Sequence, residues 1–283
     1  WQGVADCGRL LGDLKQSHAA YAQALRNVSA SDRAWQADLY SGQALAWRAS
    51  GEPRRALKGL KAALRRYQAL RDPAGIRFCQ WALGGTQRIA GDLKSALTHL
   101  KQAERAYTRS GDGEGAAYVD CALGGTYRML GRWQDSSRHY QRANALMRAR
   151  HDRFGTAYSY CGLGNAARMH GDLPTALRWF KRAEKVYASI GDKVSYAYTL
   201  WSLASTYKLM ERHSLALSQL SKAERLFKGT GDGRGLAYVE TARAEIFALQ
   251  GRAAPARQAL AKATRLARPY AWESRHVKAL ASL

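Results

Sequence analysis

An aspartate stands at every fortieth position through most of this chain, at Asp32, Asp72, Asp112, Asp152, Asp192 and Asp232. A second series with the same spacing consists of Gly51, Gly91, Gly131, Gly171, Glu211 and Gly251. A constant period of this length indicates one supersecondary unit that is repeated and stacked. The sequence therefore predicts a repeat array whose functional surface is built from equivalent positions.

The type unit, residues 113–151, has helical periodicity on both sides of Gly131. Apolar or small residues recur at Leu123, Tyr127 and Leu130, and again at Tyr140, Ala143 and Met147. Because a spacing of three and four is typical of helices, each repeat is predicted to be a helical hairpin and the fold all-α. First helices are expected near residues 34–50, 73–90, 113–130, 153–170, 193–210, 233–250 and 273–283. With the second helices between them, about fourteen or fifteen helices are expected.

The unbroken period predicts a single domain over residues 1–283. It divides into an incomplete first repeat at 1–31, full repeats at 32–71, 72–111, 112–151, 152–191, 192–231 and 232–271, and a terminal helix at 272–283. The segment from Trp1 to Leu11 is expected to be the tail of a helix whose beginning is missing, with the N-terminus processed or trimmed.

The aspartate and glycine series mark the positions where helices are expected to begin and end. Glycine suits the C-terminus of a helix, where the chain adopts a left-handed conformation. An aspartate that follows can accept backbone N–H bonds at the start of the next helix, which stabilises it by about 1 kcal/mol. We therefore interpret the aspartates as helix caps rather than as a catalytic or metal-binding row.

Two further series of equivalent positions are occupied by small residues. They are Ala44, Gly84, Gly124, Gly164, Ala204 and Ala244 in the first helices, and Ala56, Ala96, Ser136, Ala176, Ala216 and Ala256 in the second. Small side chains let two helix axes approach closely, while larger neighbours such as Leu100 and Phe180 fill the space beside them.

The order Leu123, Gly124, Tyr127, Gly131, Tyr140 and Ala143 resembles the tetratricopeptide repeat, and the resemblance covers essentially the whole chain. The forty-residue period is similar to the longer-helix variant found in kinesin light chains, spindle-orientation adaptors and bacterial peptide-sensing regulators. The resemblance implies an α-solenoid, a right-handed superhelix of about seven hairpins plus a terminal helix. It also implies that the first helices line a concave groove and that the protein is a binding module.

Charge narrows the choice of partner. Lys and Arg number 45 against 22 Asp and Glu, which gives a net charge of +23. This excess favours an acidic partner. No run of about 18 apolar residues exists, so no transmembrane segment is predicted. The compartment is not indicated by the sequence, and the cytoplasm is slightly favoured.

Metal and redox chemistry find no support in the sequence. The four cysteines, Cys7, Cys79, Cys121 and Cys161, form no C-x-x-C pair, and no two histidines stand at metal-ligand spacing. We therefore predict no metal and no cofactor.

Four columns of equivalent positions share one face of the first helices, because their offsets along the helix are three, seven and ten residues. The ring column is Phe78, Tyr118, Tyr158, Tyr198 and Tyr238, and the mixed column is Trp81, Cys121, Cys161 and Trp201. The small column is Gly85, Gly125, Asn165 and Ser205, and the cation column is Arg48, Arg88, Arg128, Arg168 and Lys208. Arginine matches carboxylate or phosphate and tyrosine supplies a stacking face, so these columns are the candidate binding site.

A structural interpretation of the same columns stays open. Aromatic residues on a superhelix can pack against the next repeat, and an arginine at a helix end can simply complement the helix dipole. Cys121 and Cys161 are interpreted first as small apolar fillers and second as reactive thiols or ligand contacts.

Four functions are compatible with this face. The leading hypothesis is a non-enzymatic scaffold that binds an acidic peptide or protein segment. The second is a receptor or carrier for an anionic aromatic small molecule, and the third is a single-stranded nucleic-acid binder, which would use rings for bases and arginines for phosphates. An enzyme dependent on Cys121 or Cys161 is the last, because no nucleophile, base and orienting acid form an interpretable pattern.

Overall fold

The computed structural model describes residues 1–282, apart from the side chains of residues 10, 11, 271 and 272. Over these residues the chain forms fifteen α-helices and no strand. They are α1 Gln2–Leu11, α2 Leu14–Asn27, α3 Arg33–Ala49, α4 Pro53–Ala69, α5 Pro73–Ala90, α6 Leu93–Ser110, α7 Gly113–Met129, α8 Trp133–Ala149, α9 Arg153–His170, α10 Leu173–Ile190, α11 Lys193–Leu209, α12 His213–Thr230, α13 Gly233–Leu249, α14 Ala253–Ala267 and α15 Ala271–Ala281.

The all-α solenoid of hairpins is confirmed. The odd-numbered helices are the predicted first helices, and from α3 to α13 each begins and ends within one residue of its predicted bounds. Over residues 1–282 there are seven hairpins and the terminal helix α15. Residue 283, the end of the predicted terminal helix, lies outside the described residues.

The helices divide into two compact units. The first unit, Trp1–Arg132, contains α1 to α7, and the second begins at Trp133 and contains α8 to α15. Within each unit every helix packs against the next, so the hairpins stack in chain order. A single array over residues 1–283 stays a prediction.

The interpretation of the aspartate series as helix caps is confirmed. All six aspartates are the N-cap residues of α3, α5, α7, α9, α11 and α13, and each side chain accepts a backbone N–H bond of 2.8–3.1 Å from the first turn. Asp13, Asp92 and Asp172 cap three second helices in the same way. The carboxylates are therefore engaged in starting helices.

The glycine series ends the first helices in the left-handed conformation, as predicted. Gly51, Gly91, Gly131, Gly171 and Gly251 have φ between 71° and 89°. Glu211, the sixth member, takes the same conformation with φ 58°. A residue with a Cβ is strained there, because the Cβ approaches the following carbonyl oxygen.

Replacing Glu211 by glycine should therefore stabilise the protein. The left-handed conformation costs an L-residue about 1–2 kcal/mol, and the larger entropy of an unfolded glycine offsets part of the gain. We expect Glu211→Gly to raise the free energy of unfolding by about 0.5–1 kcal/mol, measured from urea unfolding curves. The matched control, Gly171→Ala at φ 89°, should destabilise the protein. An unfolding midpoint for Glu211→Gly at or below that of the unchanged protein would contradict this account.

Close packing within a hairpin follows the small-residue series. A Cβ added to Gly84 would come within 2.5 Å of Leu100 Cγ and within 3.0 Å of the Ala96 carbonyl oxygen. Ala96 and Leu100 are themselves fully buried. The helices α5 and α6 thus approach to a distance that only glycine at position 84 permits without rearrangement.

A charged network joins three helices of the second unit. Arg243 on α13 donates to Glu224 of α12 at 2.6 Å and to Glu240 of its own helix at 3.0 Å. Lys262 on α14 donates to Glu240 at 2.5 Å. Although burial acts in the opposite direction, hydrogen bonds from Lys228 and Arg243 lower the pKa of Glu224 to about 2.

This lowered pKa predicts acid sensitivity of the second unit. The stabilisation by ionised Glu224 is fully present above the ordinary pKa of 4.5 and is lost as the pH falls toward 2, because the unfolded chain takes up the proton first. Glu224→Gln should melt at a lower temperature than the unchanged protein at pH 7, and its melting temperature should fall less between pH 5 and pH 2.5, roughly the window of this titration. Glu184→Gln is the matched control, because Glu184 is the equivalent residue one repeat earlier and makes no ion pair among the described residues. Parallel melting profiles for all three proteins would exclude this role of Glu224.

Candidate functional site

The first helices lie on the inner side of each unit. In the first unit α1, α3, α5 and α7 contact one another in succession, and in the second unit α9, α11, α13 and α15 do the same. Among the described residues, successive second helices within a unit make no such contact. The hairpins of each unit therefore converge on the side of the first helices, which carries the candidate columns.

In the first unit, three of the predicted site residues line one cavity of about 350 Å³, which we call the ring pocket. Phe78 and Trp81 come from α5 and Tyr118 comes from α7. The remaining lining residues are Tyr107, Asp112, Glu114 and Gly115. The structure thus brings together part of the ring and mixed columns and adds two carboxylates beside them.

A ring laid on a glycine forms one wall of the pocket. The aromatic ring of Tyr107, at the end of α6, covers the backbone of Gly115 in the first turn of α7, where a Cβ would overlap the ring. Arg77 packs on the same ring, with its guanidinium carbon 5.3 Å from the Tyr107 ring centre and Nη2 3.6 Å from Asp112 Oδ2. Burial raises the pKa of Tyr107, so its hydroxyl stays neutral. The wall is therefore held by packing, a cation–π contact and an ion pair at once.

Replacing Gly115 by alanine should destabilise the first unit. The added methyl group must displace the Tyr107 ring, and overpacking of this kind costs about 1–3 kcal/mol. We expect Gly115→Ala to lower the free energy of unfolding by that amount in urea unfolding. Gly3→Ala is the control, because Gly3 lies in the first turn of α1 with no atom within 4 Å of an added Cβ. Equal effects of the two substitutions would contradict the close contact between the Tyr107 ring and the Gly115 backbone.

The small and cation columns meet in the first unit. The guanidinium of Arg48, on α3, lies 5.7 Å from the Trp81 ring, and its Nη1 would be 3.4 Å from a Cβ on Gly85. The space that Gly85 leaves beside the backbone is therefore occupied by a side chain of the preceding repeat. Arg88 lies on α5, as Trp81 and Gly85 do, and is half-buried. Its Nε is buried and has no hydrogen-bond partner among the described residues.

In the second unit the same columns connect successive repeats. The Tyr238 ring lies 6.2 Å from that of Tyr198 and 5.0 Å from that of Trp201, and its hydroxyl donates to the buried Glu273 of α15 at 2.7 Å. Lys208 of the cation column pairs with Glu245 of the next first helix. These side chains have structural partners, as the alternative interpretation of the columns anticipated.

Asn165, Arg168 and Cys161 form a local hydrogen-bonded group. Arg168 donates to Asn165 Oδ1 at 2.8 Å, Asn165 donates to the Cys161 carbonyl oxygen at 2.9 Å, and Cys161 Sγ lies 3.4 Å from Thr199 Oγ1. Burial raises the pKa of the Cys161 thiol to about 11. The thiol is therefore protonated at neutral pH, which argues against a nucleophilic role.

The other predicted positions differ in exposure. Cys121 and Gly125 are buried, Arg128 is half-buried and Tyr158 is exposed by 40%. Tyr158 stacks on Phe154 with ring centres 6.5 Å apart. The structure places Phe78, Trp81 and Tyr118 in the ring pocket, and a binding site that uses all fifteen predicted residues stays a prediction.

Sequence reasoning missed Tyr107, Asp112, Glu114 and Gly115 as pocket residues. A repeated pair carried a signal for the wall, because Tyr67 with Gly75 and Phe227 with Gly235 stand at the positions of Tyr107 with Gly115. In both of these pairs the ring also lies where a glycine Cβ would be. The sequence predicts only a capping role for Asp112, whereas in the structure its Oδ2 also lies 3.6 Å from Arg77 Nη2.

The fold and the inner columns define a solenoid of helical hairpins. Residues 115–189 match the tetratricopeptide repeat family. Helical hairpins also make up the rest of the described chain, so the predicted resemblance to tetratricopeptide repeat proteins is confirmed. Comparison with curated protein sequences gives no match. Over residues 1–282, no helix has both the length and the apolar character required to cross a bilayer.

Solved structures with a similar fold share little sequence identity with this chain. The apo form of RapI is 14% identical with a TM-score of 0.73, and the match covers 90% of this chain and 92% of RapI. The apo quorum sensor NprR from B. thuringiensis is 16% identical with a TM-score of 0.73, covering 92% and 73%. A Rap protein complexed with competence and sporulation factor is 16% identical with a TM-score of 0.71, covering 95% and 74%. At this level of identity the likeness establishes the fold.

Proposed function

We propose that this chain is a non-enzymatic binding module that holds an acidic peptide or protein segment against its first helices. The observation that carries the proposal is the ring pocket of the first unit, with the Arg48 guanidinium beside its Trp81 ring and Arg88 farther along the same helix α5. The net charge of +23 supports an acidic partner, because it raises the local concentration of anions around the protein. Two solved structures with a similar fold, a Rap protein complexed with competence and sporulation factor and the quorum sensor NprR, support a recognition role.

The spacing of the pocket and the cations suits an extended segment. Trp81 and Arg88 are separated by seven residues of α5, which is about 10 Å along the helix. An extended peptide covers this distance with about three residues. One side chain of the segment then enters the ring pocket, while a carboxylate farther along meets the guanidinium of the half-buried Arg88. We include in the proposal that the repeats form one continuous array over residues 1–283.

A small-molecule receptor is the second candidate. The ring pocket, at about 350 Å³, is within the range of small-ligand sites, and four aromatic side chains line it. Single-stranded nucleic acid fits less well, because Asp112 and Glu114 would lie near the phosphates of any base stacked on these rings. Enzymatic use of Cys161 is disfavoured by its protonated thiol.

Arg88 provides the test of acidic-segment binding. Peptides selected from a displayed library against the full chain should be rich in Asp and Glu, and Arg88→Ala should weaken them about tenfold or more by removing a charge-assisted hydrogen bond. Arg105→Ala is the control, because it removes the same charge from an exposed position on α6. Affinity is measured by fluorescence anisotropy and stability by thermal melting, which should change little.

Two results would contradict the proposal. One is a selection that yields no peptide, and the other is an equal loss of affinity in Arg88→Ala and Arg105→Ala, which would indicate only a general charge effect. A collapse of binding between roughly 50 and 200 mM salt, together with tight binding of an oligonucleotide, would favour nucleic acid instead.

A further inference from the structure

Helix α4, a second helix of the first unit, carries positive charge that no acidic residue of the same helix balances. Its 17 residues include six basic residues and no acidic one. Four of the basic residues are exposed, and we call them the outer stripe: Arg54, Lys58, Lys61 and Arg65. Among the described residues, none of these four charged groups has an ion pair or a hydrogen bond, whereas Arg55 and Arg66 of the same helix have partners.

The outer stripe occupies one side of α4. Its members follow one another at spacings of four, three and four residues, which places them along one face of the helix. The opposite face is buried against α3 and α5 through Leu60, Ala63 and Tyr67. The outer stripe therefore points away from the first helices and into solvent.

The fold does not require cations at these positions. Like charges three and four residues apart destabilise a helix, and α4 has no acidic residue to offset the repulsion. The four equivalent positions are Ser214, Ser218, Ser221 and Arg225 on α12, and Ala254, Gln258, Ala261 and Arg265 on α14. On α6, the next second helix of the first unit, three of the four are basic and exposed, namely Lys94, Lys101 and Arg105, and on α10 three are basic as well. Basic residues at these positions are thus a property of particular repeats and indicate a role in binding.

We propose that the outer stripe, together with Lys94, Lys101 and Arg105 of α6, binds the phosphate backbone of duplex DNA without reading its sequence. Helix α5 packs against both α4 and α6, so the two sets of cations lie on the same outer wall of the first unit. The outer stripe extends about 16 Å along α4, a length over which a duplex presents roughly ten phosphates. This surface is separate from the first-helix face of the proposed function, and it adds a second partner on the other side of the hairpins.

Duplex DNA fits this surface better than an acidic protein or a membrane does. Protein interfaces depend on buried aromatic and aliphatic anchors, and helices that bind membranes insert an apolar face. Of the exposed large hydrophobic residues in the described part of the chain, none lies within α4 or α6, and Leu70 directly follows α4. A phosphate backbone needs only charged and hydrogen-bonding groups, which this surface provides.

Single-stranded nucleic acid and duplex RNA also fit less well. Single strands are held by rings on which their bases stack, whereas Tyr67 of α4 and Tyr107 of α6 are buried. Duplex RNA is recognised in part through its 2′-hydroxyl groups, which both donate and accept hydrogen bonds. The outer stripe supplies donors only, because neither lysine nor arginine side chains accept a hydrogen bond.

The salt dependence of DNA affinity tests this surface. A fluorescent duplex of about 20 base pairs is titrated with the full chain and followed by anisotropy. If the seven cations each neutralise one phosphate, the affinity falls about a thousandfold or more between roughly 50 and 200 mM salt. Two duplexes of unrelated sequence should bind equally, because phosphate contacts carry no sequence information. Absence of binding at about 50 mM salt, or a fall in affinity of less than about tenfold over this range, would overturn the inference.

Matched variants separate the outer stripe from the general charge of the chain. A variant with glutamine at all four stripe positions should lose affinity only about fortyfold over the same salt range, because three phosphate contacts remain: Arg54→Gln, Lys58→Gln, Lys61→Gln and Arg65→Gln. Its melting temperature should not fall, since the like-charge repulsion within α4 is removed.

The control variant removes the same charge from exposed positions on α12 and α14, and it carries Lys222→Gln, Arg225→Gln, Arg257→Gln and Arg265→Gln. Its salt dependence should equal that of the unchanged protein. Equal weakening of DNA binding by the two variants would indicate only an effect of net charge and would overturn the assignment to the outer stripe.

Competition experiments identify the partner and separate the two proposals. Tighter binding of duplex RNA than of duplex DNA would overturn the choice of DNA, and phosphatidylserine vesicles that bind through the outer stripe while duplex DNA does not would assign the surface to a membrane. Duplex DNA should not displace an acidic peptide selected against the chain, because the outer stripe faces away from the first helices. Displacement of that peptide would place the DNA on the inner side and contradict the outer site. A peptide library that yields no binder would instead count against the proposed function, and the DNA titration would still decide on the outer stripe.

Discussion

The junction between helices is the interaction on which the rest of the structure depends. Most helix ends combine a left-handed residue, which satisfies the last carbonyl groups, with a capping side chain that satisfies the first N–H groups of the next helix. Because this junction recurs with the same spacing, it fixes where each helix begins and which face it presents to its neighbour. The columns of equivalent residues exist only because the junctions keep the helices in register.

The register explains why the helices could be predicted well and the site only in part. Helix bounds and caps depend on local sequence, so the aspartate and glycine series located them within a residue. Which partner a side chain of a column contacts depends instead on the residues of the neighbouring repeat. Lys208 is paired because Glu245 stands in the next repeat at the position that Gly85 holds in another, and Arg48 covers Gly85 because glycine leaves room for it. Each of these contacts joins a residue of one column to a residue of a different column in the next repeat. The sequence pattern within a single column therefore does not predict it.

The net charge describes the whole molecule and not the surroundings of the ring pocket. The value of +23 describes the long-range field, which decays over a Debye length of about 8–10 Å at physiological salt. At the ring pocket the nearest charges dominate, and they are of both signs. Asp112 and Glu114 line the pocket, while Arg77 pairs with Asp112 and Arg48 lies over the Trp81 ring. A partner attracted at long range as an anion therefore meets charges of both signs at close range.

The contacts between aromatic rings and glycines also determine where two such repeat proteins can be joined into a chimera. Tyr107 and Gly115, like Tyr67 and Gly75, belong to different hairpins, so each pair forms the seam between one hairpin and the next. A chimera spliced at the aspartate that starts a first helix would separate a ring from the backbone shaped to receive it. Splicing within a hairpin, near Gly91 and Asp92, would exchange modules with their seams intact. The unit suited to exchange is thus offset by half a repeat from the forty-residue repeat that begins at each aspartate.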